Sequence, residues 1–456
     1  MAEDSLKDTS SDTTTSDSKP AKGYAVYVLL MLAALYTVNY VDRFLVSGLL
    51  DPIKDSLDVS NTYMGFLVGP AFALFYTTLA IPIARLADRY SRVKIIATGT
   101  LVWSLFTVLS GFADTPEAFL VARIGVGIGE AAFLAPAFSL LADYYPPRRR
   151  TMAFAILNLG VYFGQMGGLI GGPAIESVAG WQAAFIALGL PGIILAGLTI
   201  LTIREPMRGQ LDDSDPTDLS ENLDKQKQDT AIPIKTLAAL LVKTRSYLMM
   251  TAGTALGGFA GYGFGYWGPT LFSRGFDLSL TEAGGRFAVS FGISGLFGAL
   301  LMGFMCDRLA QRNHRWPFWL SAGGVVGSMA FMMAVCLTDN VEIATLLAFP
   351  AGLMGGGWVV ALQAALQDLL PGKIRATSSS IWAFALTFAG LVGGVQFAGF
   401  MIDMFAAYPP DIAIRYALTI TLLPCIPASL LIASAGYTIL TDREMLKETL
   451  ASETNL

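Results

Sequence analysis

DYYPPRRR, residues 143–150, returns as DLLPGKIR at 368–375. One offset of 225 residues pairs Asp143 with Asp368, Pro146 with Pro371 and Arg150 with Arg375. Asp88-Arg89 and Asp307-Arg308 form a second pair at an offset of 219. An aspartate, a proline and an arginine sharing one offset mark an internal repeat. Each copy closes a long apolar run, so the repeated unit is a set of membrane helices.

Composition agrees. Of 456 residues 54% are hydrophobic and only 14% charged, with a mean hydropathy of +0.56. A soluble domain carries about 25% charge, so the chain belongs to the membrane class. The net charge of −5 is uninformative for a membrane protein, and nothing in the sequence suggests a nucleic-acid partner. Cys306, Cys336 and Cys425 fall in or beside apolar runs without metal or disulfide spacing, and the single histidine, His314, lies in a basic loop. Histidine-based metal or triad chemistry, a G-x-S-x-G elbow and an H-E-x-x-H helix are all missing, so the expectation is a non-enzyme with no cofactor.

Spanning ~30 Å takes ~20 apolar residues. Twelve runs qualify, near 24–50, 62–84, 93–113, 117–142, 151–176, 181–203, 246–273, 281–305, 316–338, 342–366, 377–405 and 412–440. The expected fold class is an all-α membrane protein of twelve helices in two pseudo-symmetric six-helix bundles. Residues 1–22 read as a disordered tail, 23–203 as the first bundle, 204–245 as a linker, 246–440 as the second bundle and 441–456 as a second tail. Arg85, Arg89, Arg92, Lys94, Arg148–Arg150, Arg308, Arg312, Arg315, Lys373 and Arg375 gather on one side, with acids on the other. The positive-inside rule then makes both termini cytoplasmic, in the inner membrane if the chain is bacterial.

Four ionisable residues interrupt the apolar runs: Asp42 and Arg43 in the first, Arg123 and Glu130 in the fourth. Each costs ~3 kcal/mol or more at bilayer depth, so they are expected to meet one another and a wet cavity. At ~1.5 Å per residue, Asp42 and Arg123 are the best match in depth, and the long Arg43 side chain can still swing down toward Glu130. Arg123, Gly127 and Glu130 share a helix face, as do Tyr36, Asn39 and Arg43. Gly127 is expected to leave room beside the charges. A carboxylate whose arginine can move away is suited to proton coupling and gating; a static clamp is the plain alternative.

Within the seventh run, the stretch Gly257 to Pro269 holds six glycines with Phe259, Tyr262, Tyr266 and Trp267. It is expected to flex as a gate with aromatic walls, the alternative being close packing through small residues. Tyr36, Asn39, Tyr40, Trp358 and Gln363 complete the expected substrate cavity, with Gln165 and Gln396 as further donors. Arg286 is expected to snorkel. Asp88, Arg89, Arg92, Asp307 and Arg308 are expected to form a cytoplasmic latch, each aspartate set against a helix N-terminus of the other half.

Ala84-Arg-Leu-Ala-Asp88-Arg89-Tyr-Ser-Arg92-Val-Lys94 resembles the cytoplasmic signature of the major facilitator superfamily, with Ala84 and Ser91 in place of its two glycines. Gly303-Phe-Met-Cys-Asp307-Arg308 is a weaker second copy, and Gly164 to Pro173 resembles the antiporter-type motif. Asn39-Tyr-Val-Asp42-Arg43 and Arg123-Ile-Gly-Val-Gly127-Ile-Gly129-Glu130 are most similar to the spinster family. That resemblance implies a monomeric alternating-access transporter of lysophospholipid-like or sphingosine-phosphate-like amphiphiles. Protons are the expected coupling ion and the bilayer the surrounding partner. A proton-coupled porter for small organic anions and a non-transporting sensor are the rival readings.

Overall fold

The structure, a computed structural model, describes residues 22–209, 211 and 234–454. Residues 1–21 of the expected tail and most of the expected linker lie outside them. Among the described residues every regular element is helical. The first four spans are α1 (Gly23–Gly48), α2 (Asn61–Arg89), α3 (Arg92–Ser110) and α4 (Pro116–Tyr144). One run, Pro147–Thr202, is two spans. It turns at Gly180, whose φ of 83° only glycine adopts without strain, giving α5 (147–179) and α6 (181–202). Then follow α7 (Arg245–Phe276), α8 (Leu280–Ala310), α9 (Trp316–Leu337), α10 (Val341–Leu369), α11 (Thr377–Met404) and α12 (Pro410–Leu450). Helix continues past residue 440 to Thr454.

Local chemistry sets the helix starts. The side chains of Ser60, Ser91, Thr115, Ser279 and Asn340 each accept a hydrogen bond from a backbone N–H in the first turn that follows. These are the N-caps of α2, α3, α4, α8 and α10. Glycine stripes then bring helices into backbone contact. A Cβ on Gly160, Gly164 or Gly168 of α5 would strike the carbonyls of Ala33, Thr37 or Val41 on α1. In the second half Gly394 of α11 presses likewise on Phe259 of α7. Small residues at such crossings supply close van der Waals packing where lipid removes any hydrophobic drive.

The breaks in helix regularity are not where the glycine count places them. α7 is unbroken helix from Arg245 to Phe276, through Pro269. Most of its glycines are contact surfaces: Gly257 meets Trp358, Gly258 meets Leu386 and Gly268 meets Phe287. Irregular turns occur instead as π-helical segments at Gly167–Gly171 in α5, Ala288–Ile293 in α8 and Phe388–Val395 in α11. α2 also kinks at Gly69, where any Cβ would run into the Leu391 carbonyl of the α11 segment. Three of the four helices at the seams between halves thus carry a wide turn, and the fourth a kink.

Among the described residues, the hydrogen bonds and ion pairs that join the halves gather toward the acidic end. Asp403, on the last turn of α11, accepts from the backbone N–H groups of Asn61 (3.2 Å) and Thr62 (2.6 Å). It also accepts from the Asn61 amide (2.7 Å) and the Thr62 hydroxyl (2.6 Å). It therefore caps α2 from the other half. Arg274 of α7 grips Asp51 (2.5 Å) and the Asn61 side-chain oxygen (2.9 Å), and Ser47 donates to the Tyr266 carbonyl at 2.6 Å. At the basic end no hydrogen bond or ion pair joins the halves among the described residues. There Ile81 and Leu86 of α2 stand 63% and 46% exposed. The molecule is closed on its acidic side and open on its basic side.

Candidate functional site

The four intramembrane charges form two ion pairs between α1 and α4. Arg123 donates to Asp42 at 3.0 Å, and both side chains are 3% exposed. Asp42 also accepts from the Thr107 hydroxyl of α3 at 2.7 Å. Arg43 meets Glu130 at 2.6 Å, with Glu130 fully enclosed and Arg43 10% exposed. Neighbouring residues on α1 point about 100° apart, which is why Asp42 and Arg43 serve different partners. Buried pairs persist only when charges and hydrogen bonds are both matched. Here two atoms stay unmatched among the described residues: Glu130 Oε1 is buried and accepts no hydrogen bond, and Arg123 Nε is buried and donates none.

Helix α4 breaks into a turn directly after Glu130. A carboxylate at the negative end of a helical segment needs a cation beside it. Arg43 supplies that charge, and three rings fix its position: Tyr76 at 4.6 Å, Tyr40 at 4.9 Å and Phe72 at 5.0 Å from the guanidinium carbon. Gly127 does not make room for the charges as expected. Its open side faces the Phe72 carbonyl, so its smallness lets α2 approach and place those rings.

Arg43 also reaches the central cavity, about 310 Å³, between the two halves. Its walls come from α1 (Tyr40, Phe44), α5 (Tyr162, Gln165), α7, α8 and α10, and Arg43 is the only charged residue in the lining. Stacked rings cross between halves above it: Tyr40 on Phe44, Phe44 on Tyr266 at 5.2 Å, Tyr266 on Tyr262. Gly261 and Gly265 face the cavity with nothing opposite them within 4 Å of where a side chain would begin. One wall is therefore bare helix backbone.

Of the expected cavity residues, Tyr40, Tyr262, Tyr266 and Trp358 line it. The others do not. Tyr36 (6% exposed) lies behind Tyr40, stacked on Phe133, and Asn39 (2% exposed) is buried in the N-terminal half. Phe259 packs on Phe397, and Trp267 donates to the Val395 carbonyl at 3.0 Å. On α7 only the stripe at 257–258, 261–262 and 265–266 faces inward, so Phe259 and Trp267 point elsewhere. Gln363 continues the α10 stripe one turn beyond Val359, exposed and below the cavity. Gln165 does line it, whereas Gln396 donates to the Thr62 carbonyl across the seam. Arg286 pairs with Glu282 and Glu342 at 3.0 and 2.9 Å.

The latch residues are disengaged, as a basic end that stands open requires. Asp88, Arg89, Asp307 and Arg308 are exposed, with Arg308 folded over the Phe304 ring at 4.4 Å. Arg92 belongs to a different structure. It is 1% exposed and holds Asp143, the Ser139 carbonyl and Glu205 (2.7 Å), tying α3 to the ends of α4 and α6. Partial burial pushes the Glu205 carboxyl up. The backbone N–H of Val93, Arg92 and the Ser91 hydroxyl outweigh it and hold Glu205 below the usual carboxylate range. Sequence reasoning missed Thr107, Phe72, Tyr76, Arg274 and Asp403. Asp403 alone carried a signal, an acid closing an apolar run opposite the Ser60-Asn61-Thr62 helix start.

Comparison with known proteins follows the same geometry. Residues 32–394 match the Major Facilitator Superfamily model. An MFS-type efflux pump of Mycolicibacterium smegmatis is 29% identical over 91% of this chain and 92% of its own. The sphingosine-1-phosphate transporter SPNS2 of Xenopus tropicalis is 24% identical over 85% of this chain and 77% of its own. Among solved structures, a bacterial homolog of the human lysosomal transporter spinster, inward-facing and unoccupied, superposes with a TM-score of 0.81. It is 27% identical, over 93% of this chain and 99% of that one. The family match over most of the chain and the superposition along its length agree with the fold described above: the chain belongs to the Major Facilitator Superfamily, as a spinster-like, multi-pass membrane transporter.

Proposed function

We propose that the protein is a proton-coupled, alternating-access carrier of an anionic amphiphile of the lysophospholipid or sphingosine-phosphate class. It acts as a monomer, without cofactor or enzymatic step, and with its basic end in the cytoplasm. One observation carries the reading: the only charge in the cavity lining, Arg43, is the same group that neutralises the enclosed Glu130. An anionic head group that draws Arg43 toward the cavity leaves Glu130 without its counter-charge. A proton on the unpartnered Oε1 then removes the cost of the bare carboxylate. Substrate and proton thus favour each other's binding, while the Asp42–Arg123 pair stays matched as the fixed anchor.

The bare backbone at Gly261 and Gly265 supports an amphiphile, since an alkyl chain needs a smooth apolar wall and no polar partner. A relative points the same way: SPNS2 of Xenopus tropicalis is a sphingosine-1-phosphate transporter. The test is uptake of labelled lysolipid by proteoliposomes with and without an imposed pH gradient. Wild type is expected to respond to the gradient and Glu130→Gln to transport without responding. A pH response in Glu130→Gln equal to wild type would remove Glu130 from the mechanism. Competition by a hexonate instead of by lysolipid would transfer the reading to small organic anions.

A further inference from the structure

Both halves carry the same lateral cleft. In the first half α2 and α3 lie over α4 and enclose about 510 Å³ between Ile83, Leu86, Ile95, Val102 and Ile128. In the second half α8, α9 and α10 enclose about 300 Å³ between Leu301, Met302, Met305, Leu320 and Met354. Different side chains build the two, so the cleft belongs to the repeated architecture and not to one accidental gap. Neither shares a residue with the central cavity.

The first cleft faces the bilayer. Lys94 and Thr98, in its lining, begin an exposed stripe of α3 that continues through Leu101, Leu105 and Leu109 at 44–45% exposure. Water is poorly held in an apolar cleft at this depth, and a hydrocarbon chain fits both its length and its chemistry. The mouth differs between the halves. The second cleft has no charged residue in its lining. The first ends at Lys94, and Arg85 and Arg89, on the last turns of α2, add to the positive charge of the same end of the molecule. Among the described residues none of these three cations has an ion-pair partner, and Asp88 is the acid nearest them in sequence. Juxtamembrane cations of this kind attract acidic lipid at about 1 kcal/mol each.

We propose that the α2–α3 cleft is a binding site for one anionic phospholipid from the leaflet on the basic side. Its phosphate rests on Lys94, and one acyl chain lies against Ile95, Val102 and Ile128. That chain also covers Gly129, next to Glu130, and keeps the lipid side of the charge pair dry. The site is separate from transport, so its test does not depend on the substrate assignment.

The experiment is intact-mass measurement of the purified protein in dodecyl maltoside, titrated with palmitoyl-oleoyl phosphatidylglycerol or phosphatidylcholine. Wild type is expected to retain one phosphatidylglycerol in preference to phosphatidylcholine. Lys94→Gln is expected to lower that preference roughly fivefold, and Lys94→Arg to restore it. Thr98→Phe, which fills the cleft from an exposed position, is expected to lose the bound lipid of either kind. Equal retention of the two lipids by wild type, an unchanged preference in Lys94→Gln, or full occupancy in Thr98→Phe would each overturn the proposal.

Discussion

Replacing Asp403 with asparagine tests the closed acidic end most directly. In the native seam the two carboxylate oxygens accept four hydrogen bonds, two from Asn61 and two from Thr62. Asparagine has the same shape, but one oxygen becomes an NH₂ that faces two donors. Two charge-assisted bonds are lost, at about 1.5 kcal/mol each on the low end, because the residue is partly exposed. The negative charge at the α2 N-terminus goes too. The state closed at its acidic end should therefore weaken by about 3 kcal/mol against the alternative, on the order of a hundredfold in population. Spin labels at Ser56→Cys and Tyr408→Cys, both exposed and in opposite halves, report the gap by pulsed electron resonance. The native cysteines are buried at 5% exposure or less and stay silent. Asp403→Asn should add a long-distance population that the parent lacks. An unchanged distance distribution would mean that this carboxylate does not hold the seam.

Gly69→Ala should shift the same labels in the same direction, since its methyl would overlap the Leu391 carbonyl only when the acidic end is shut. Asp42→Asn strands the buried Arg123 and should destabilise the protein by about 3 kcal/mol. The double variant Asp42→Asn/Arg123→Gln should recover most of that loss in a thermal unfolding assay. Arg43→Lys keeps the charge but gives up the planar contact with Tyr40, Phe72 and Tyr76, so KM for lysolipid uptake should rise roughly tenfold. Glu205 is held below its ordinary pKa, so its contribution to stability is complete above about pH 4.3 and fades as pH falls through its lower folded value. Glu205→Gln should flatten the melting temperature in that acid window alone.

Architecture and charge pairing were legible because the bilayer imposes them. Twelve apolar runs and a repeat offset leave few folds, and ions at membrane depth must find partners at their own level. Depth arithmetic on two helices was enough to match Asp42 with Arg123 and to leave Glu130 within reach of the long Arg43 side chain. The cavity wall was less legible, because a run such as Gly257 to Pro269 does not state which stripe faces inward. Phe259 and Trp267 were assigned to the wrong side for that reason. Helical irregularity was misplaced because glycine serves two ends, tight packing in α7 and wide turns in α5, α8 and α11. The cap that Asp403 lends to α2 joins residues more than 300 positions apart, and no local pattern reports such a meeting.

That cap also makes the two seams unequal. α2 and α11 are stitched by Asp403 and by Gln396, whereas α5 and α8 meet at the same level through Gly284 against Leu169 without a hydrogen bond among the described residues. A door fastened along one edge swings from the other. The α5–α8 margin is where separation meets least resistance, so it should part before the stitched margin does.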